Sequence, residues 1–470
     1  MTRLLLISFD VVDTKMAGPG VRYWEMARAL AQTLDVTLAT PERSLPGPGF
    51  KTHVYSLDDW DSLAPAVAQA DVLLLAGHLL LNFPSLVTCG KALILETTYP
   101  YTFESLHRQA HLPREEQWPT FYDNLDLVRR TALAGDFFFC ASRRQRDYWL
   151  GVLDIMGRIN PDTYADDPTL RRLIDIVPFG LPSRPLQATA PSVKGVIPGI
   201  GPDDRVILWG GGLWQWLDPL SLVRAVARVV ETQPRVRLLF PATRHPNPIV
   251  PDMPMLAQTR ALSDQLGLTD RVVFFGDWVP YEQWPNYLLE ADIGASLHFD
   301  HLETHFAFRT RILDYIWAGL PMVVSSGDET SELVARYGLG QVVPPGDVEA
   351  IANAILHLLD IPNLREAYRQ GFEQVRPLLT WEHICAPIVR FCQNPALAPD
   401  RAAHGGELYA PLERTWAERT ERLQQEIERQ QAQIADLTNR WQQSEARFQA
   451  AMNGRIMRLI TGIQRRLLRR

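Results

Sequence analysis

Short runs of consecutive apolar residues recur along most of the chain, separated by stretches in which apolar residues return every three or four places. The runs at 3–9, 35–39, 72–76, 92–95, 137–141 and 175–177 predict buried strands, and the pattern at 21–33 predicts an amphipathic helix. Unbroken apolar strands alternating with helices imply a parallel sheet covered on both faces. Prolines and glycines then crowd 181–204, a composition suited to a linker. A second alternation follows, with strands at 206–209, 236–240, 272–275, 293–297 and 322–325 and helices at 219–231, 254–266, 308–318 and 348–359. The pattern predicts an α/β chain with two doubly wound domains, 1–182 and 203–375, facing across a cleft. A helical stretch at 376–395 is expected to return to the first domain. In such sheets ligands sit outside the carboxyl ends of the strands.

Beyond a second linker at 395–406 the period changes. Positions 416, 420, 423, 427, 430, 434, 437, 441, 444, 448 and 451 alternate spacings of four and three, and eight of these eleven are apolar, so 412–452 predicts a coiled coil and self-association. The end of the chain, 453–470, places Ile456, Ile460, Ile463 and Leu467 on one stripe among six arginines and no acids, a basic amphipathic helix suited to an anionic membrane surface. Subtracting those six from the net charge of −7 leaves −13 on everything before them, which argues against nucleic acid as a partner. Of the 470 residues, 46% are hydrophobic and 21% charged, the balance of a folded chain. Four scattered cysteines without a CxxC pair fit a reducing, cytoplasmic setting. The apolar N-terminus is short and is followed by Asp10 and Asp13, so it predicts a strand and not a signal peptide. No stretch of about 18 apolar residues predicts a spanning helix.

Three segments carry candidate chemistry. Gly18-Pro19-Gly20 follows the first strand and opens a helix, a place where free N–H groups and the helix dipole attract anions. Gly210-Gly211-Gly212 ends a strand shortly before Asp218-Pro219 opens another helix, and its bare backbone allows close approach to a pyrophosphate. The segment from Glu303 to Pro321 is a loop feeding a helix that stops at Gly319-Leu320-Pro321, with Arg309 and Arg311 at its start and Thr310 and Asp314 on one face. Asp59-Trp60-Asp61 precedes a helical run and predicts an N-cap, not a metal site.

These segments, with 18–25, 138–142, 177–180, 209–219 and 308–324, resemble a GT-B glycosyltransferase, of the retaining family 4 (group 1) type, over residues 1 to about 395. The resemblance implies two Rossmann-like domains: an N-terminal one for the acceptor and a C-terminal one for a nucleotide-sugar donor. Gly211, Gly212, Arg309 and Thr310 would hold the diphosphate, Asp314 the ribose hydroxyls, Trp278 would line the base, and Gly20 would meet the donor from across the cleft. Glu96 sits where the family often places a catalytic His or acid, and His78 is the runner-up. No cofactor and no metal is implied. The partners implied are the donor, a saccharide or lipid-linked acceptor, and the inner face of the membrane, in surface-polysaccharide assembly.

The chain departs from the family pattern in two places. The Arg and Lys that commonly clamp the diphosphate fall on Gly212 and Leu217, which removes two contacts of about 1.5–3 kcal/mol each. Arg309 and Arg311 are expected to supply the charge instead. Of the family's two glutamates eight apart, the second is Asp314 and the first falls on Phe306, with Glu303 three residues earlier as the candidate to reach the sugar. The alternatives are a nucleotide-sugar epimerase or phosphorylase on the same fold, or an inactive scaffold that oligomerises through its coiled coil.

Overall fold

The apolar runs become strands because only burial on both faces accommodates them. In the computed structural model, which describes residues 1–247, 250, 254–404 and 410–469 (side chains of 410–416 and 455 excepted), two parallel sheets form. The first contains β1 (Arg3–Ile7), β2 (Asp35–Pro41), β3 (Lys51–Tyr55), β4 (Val72–Ala76), β5 (Ala92–Glu96), β6 (Phe137–Cys140) and β7 (Ile174–Ile176), in the order β3-β2-β1-β4-β5-β6-β7. The second contains β8 (Arg205–Trp209), β9 (Val236–Phe240), β10 (Val273–Phe275), β11 (Ile293–Ser296), β12 (Met322–Ser325) and β13 (Gly340–Val343), in the order β10-β9-β8-β11-β12-β13. In both, the order reverses beside the first strand, between β1 and β4 and between β8 and β11. The crevice opened there is where a doubly wound sheet binds its ligand.

The sequence pattern does not show β3 and β13. Both are edge strands, and their sequences Lys-Thr-His-Val-Tyr and Gly-Gln-Val-Val leave most positions partly or fully exposed, so no apolar run marks them. The helices Tyr101–Gln109 and Arg114–Ala134 are likewise additions, and the first of them brings Tyr101 and Glu104 to the crevice.

Helical segments after the second sheet cross back to the first. Phe391 stacks on Phe137 with ring centres 5.4 Å apart, Thr2 Oγ1 donates to the Cys392 carbonyl at 2.6 Å, and Trp381 packs on Phe179. The expected linker at 395–406 needs correction. Pro399–His404 is a helix whose Asp400 is fully buried and bidentate with buried Arg158, at 2.6 and 3.1 Å. Arg401 pairs with buried Asp136 at 2.5 Å. Charges that read as solvated in sequence are here the counter-ions of two others; Gly405 and Gly406 lie outside the described residues.

The chain divides into two units, Met1–Ala403 and His404–Arg470. The second consists of the 44-residue helix Ala410–Asn453 and, past Gly454, the helix Arg455–Leu467. The side chain of Trp416, at the start of the expected coiled coil, and Arg470, at the end of the basic segment, fall outside the described residues.

Candidate active site

The helix Gly18–Leu30 begins at the carboxyl end of β1 with no side-chain cap, and Pro19 presets its first turn. Across the crevice, a Cβ built on Gly18 would have Thr310 Oγ1 as its nearest neighbour, at 4.0 Å. Two helix N-termini therefore open on one gap, and each offers N–H donors and the positive end of its dipole. Gly20 is tightly packed. A Cβ there would lie 2.5 Å from the Val11 carbonyl oxygen, so its bareness lets helix and loop approach each other.

On the second domain β8 runs into Gly210–Gly212, with Gly211 at φ +81°. Tyr315 anchors this turn. The Gly210 N–H donates to its hydroxyl at 2.8 Å, and that hydroxyl lies 2.9 Å from the carbonyls of Leu208 and Ala295. Arg311 lies under the turn. Its guanidinium stacks 4.6 Å above the Trp209 ring and donates to the Gly212 carbonyl at 3.1 Å, and burial lowers its pKa to about 10. One turn further on, Asp314 accepts from Trp284 Nε1 at 3.0 Å. Its side chain is crowded by protein but not sealed from solvent, and burial raises its carboxyl pKa to about 7 against the opposing pull of Trp284 and Arg311.

Arg309 and Glu303 are paired with each other. Arg309 is the N-cap residue of the helix Thr310–Ala318, outside its first turn. Its guanidinium grips both oxygens of Glu303, at 2.9 and 2.7 Å, and stands 3.8 Å from Asp328. All three side chains are buried. Arg309 is thus already neutralised by protein carboxylates, and each oxygen of the fully buried Glu303 already accepts from it. The physical reason is that a bare cation at a helix N-terminus opposes the dipole, and two buried acids remove that cost. Thr310, which begins this helix, is exposed, and Arg311 Nη1 is buried without a hydrogen-bond partner.

Trp278 bridges the domains, donating from Nε1 to the Met16 carbonyl at 2.9 Å, with its ring against His245. Asn247 Nδ2 reaches Asp10 at 2.9 Å, the Tyr281 N–H reaches the Thr14 carbonyl at 2.8 Å, and the Tyr281 hydroxyl reaches Glu25 at 2.8 Å. On the far side Phe306 stacks on Phe103 with centres 5.5 Å apart and meets Tyr148, while Gln145 Nε2 ties the carbonyls of Thr98 and Phe306 together. The position that carries a glutamate in the family pattern is here an apolar clasp between domains. A cavity of about 230 Å³ lies away from this crevice, beside the linker at Glu25, Ser183 and Arg184. Arg28 and Glu382 also line it; Glu25 bonds Arg184, and Glu382 accepts from the Ser183 hydroxyl at 2.9 Å.

The first domain supplies a second cluster. Glu96 ends β5 fully buried, with Oε1 held by Arg22 at 2.7 Å and by the Thr98 hydroxyl at 2.6 Å. The Tyr101 hydroxyl and His78 Nδ1 are buried without hydrogen-bond partners, and the buried Tyr23 hydroxyl lies against Glu96. The His78 ring stands edge-on to Tyr101 at 4.6 Å, and burial, aided by Arg108, lowers its pKa to about 4, so it is neutral at physiological pH. Orphaned polar atoms gathered at strand ends are what a polyhydroxylated guest would satisfy. The sequence pattern does not single out Arg22, Tyr23 or Tyr101: arginine and tyrosine on an otherwise apolar helix face resemble ordinary core filling until the fold brings Glu96 beside them. Asp59, by contrast, caps the helix Trp60–Gln69 as expected, accepting from the Asp61 N–H at 3.0 Å.

Comparison with known proteins gives the class. Residues 204–360 match the family model described as "Glycosyl transferases group 1". A search of curated protein sequences finds no match. Among solved structures, Anabaena Alr3699/HepE in complex with UDP and glucose is 13% identical with a TM-score of 0.60, covering 84% of this chain and 100% of its own. Sucrose-phosphate synthase from Thermosynechococcus elongatus is 18% identical with a TM-score of 0.57, at 84% and 98% coverage. WaaG, a glycosyltransferase involved in lipopolysaccharide biosynthesis, is 14% identical with a TM-score of 0.57, at 84% and 100% coverage. The chain therefore carries the GT-B fold. Its second sheet domain is the part that matches the group 1 glycosyltransferase model.

Proposed function

We propose that the protein is a retaining glycosyltransferase that moves a sugar from a nucleotide-sugar donor to a saccharide or lipid-linked acceptor in surface-polysaccharide assembly. The observation that carries this reading is the pair of uncapped helix N-termini, at Gly18 and Thr310, facing one gap beside the Gly210–Gly212 turn. The diphosphate would take N–H groups of Gly211, Gly212 and the helix start, with the Thr310 hydroxyl. The ribose would donate to Asp314, and Trp278 would flank the base. Arg309 and Arg311 act as positioning residues: Arg309, paired with Glu303, sets its loop, and Arg311 holds the glycine turn and lends a positive field beneath it. As the donor bond breaks, the departing diphosphate gathers charge, and fixed amides aimed at it stabilise that charge without reorganising. Glu96 Oε2 and His78 Nδ1 would accept hydrogen bonds from the incoming acceptor.

Stabilisation by amides, helix dipoles and the field of Arg311 makes a metal unnecessary in this reading, so transfer should survive EDTA. The helix Arg455–Leu467 would hold the protein at an anionic cytoplasmic membrane face, and 412–452 would join copies of the chain. Among the described residues no helix is long and apolar enough to cross a membrane. The test is a transfer assay with UDP, GDP, dTDP and ADP sugars against saccharide and lipid-linked acceptors. A product that keeps the donor's anomeric configuration supports the proposal. A donor hydrolysed or isomerised equally well without acceptor would refute it. The sealed Glu303–Arg309 pair favours one rival, a scaffold that binds nucleotide without transfer, and that rival predicts binding but no product under every acceptor.

A further inference from the structure

The 44-residue helix Ala410–Asn453, about 66 Å long at 1.5 Å per residue, leaves its apolar stripe uncovered among the described residues. Leu423, Ile427, Ile434, Leu437, Trp441 and Phe448 are each about half exposed or more. We infer that this stripe pairs with the same stripe of a second copy as a parallel, two-stranded coiled coil. The inference rests on the self-association included in the reading above and fixes its stoichiometry and direction.

Three observations favour this occupant. The alternating spacings place Ile427, Ile434, Trp441 and Phe448 at the a positions and Leu423 and Leu437 at d. A β-branched residue at a with leucine at d is the combination that favours two parallel strands over three or four. Of the three polar members, Thr420 sits at a, and Gln430 and Ser444 sit at d. In a parallel pair Gln430 faces the other Gln430, and two amides can satisfy each other. In an antiparallel pair d faces a, and Gln430 would meet one of the a residues, nearly all of them apolar, keeping only the bond its Nε2 makes to Glu426 of the same helix, at 3.1 Å. The flanks agree. Arg440 at g and Glu445 at the following e lie opposite each other across a parallel interface, twice by symmetry, and both are exposed. Such a rim pair adds little energy but helps fix direction.

A parallel pair has a consequence for the basic helix Arg455–Leu467. Two copies emerge at the same end of the stalk, each with Ile456, Ile460, Ile463 and Leu467 exposed. Linked amphipathic helices bind a surface with avidity that one alone lacks.

The test uses the full chain. Light scattering should give the mass of two chains. Leu423→Cys and Phe448→Cys should each form self-linked disulfide dimers on mild oxidation, against the unsubstituted protein as control. Ile427→Lys with Ile434→Lys should return the mass to one chain while leaving the melting of the unit Met1–Ala403 unchanged. A single-chain mass for the unsubstituted protein overturns the self-association reading and this inference together. A mass of three or more chains overturns only the stoichiometry. A dimer that cross-links only when Leu423→Cys is mixed with Trp441→Cys overturns only the direction. Sugar transfer by the same preparations reports separately on the proposed chemistry.

Discussion

Arg309 and Asp314 lie five residues apart in sequence and serve opposite ends. Arg309 is locked to Glu303, so removing it strands a buried carboxylate. Arg309→Ala should cost about 3–5 kcal/mol in a denaturant titration, and replacing both members with methionine should recover much of that loss. Unchanged stability in the single variant would mean the pair is not sealed. Asp314, at a pKa of about 7, is only partly ionised at neutral pH. Ribose hydroxyls donating to it favour the carboxylate and lower that value, so binding releases protons. Donor affinity should therefore strengthen as pH rises from 6 to 8, and calorimetry in buffers of different ionisation enthalpy should register the proton. Asp314→Asn should flatten the pH dependence and weaken binding about ten-fold. At this scale the sequence was least informative. It placed Arg309, Thr310 and Asp314 on one segment, but only folding reveals that Glu303 captures Arg309 while Arg311 turns under the glycine turn onto Trp209.

Between elements, packing decides what a pattern means. Continuous apolar runs identified the buried strands because nothing but a covered parallel sheet suits them. The edge strands β3 and β13 carried no such signal. Pro399–His404 read as a linker because its partners Arg158 and Asp136 lie more than two hundred residues away in sequence. Asp400→Ala should leave Arg158 buried without its counter-charge, and the expected loss is about 3–5 kcal/mol, seen as a lower melting temperature. A loss under 1 kcal/mol would show that Pro399–His404 is held some other way.

For the whole molecule, pH-dependent stability collects several perturbed groups. His78, His298 and His301 have pKa values of about 4, below their unfolded value, so each favours folding as pH rises from about 4 to 6.5. Glu104 and Asp314 have values of about 7, above their unfolded value, so each disfavours folding from about 4.5 to 7. The three histidines outnumber the two acids, so their joint contribution rises between pH 4.5 and 6.5, and His298→Gln should make the measured slope shallower. The tail makes a separate claim. Binding to anionic vesicles should fall steeply with salt and vanish when 453–470 is removed, whereas neutral vesicles should bind little in either case.

Donor binding depends on an anion site built from helix N-termini and a glycine turn in the proposed reading. Thr310→Asp tests it most directly, because Thr310 is exposed and an acid in a helix's first turn favours the helix. Calorimetric titration with UDP, GDP, dTDP and ADP sugars should show one of them binding the unsubstituted protein. That binding should be lost in Thr310→Asp, although the variant's melting temperature without nucleotide is equal or higher. Equal affinity in the two proteins, or no sugar nucleotide bound by either, would contradict the account.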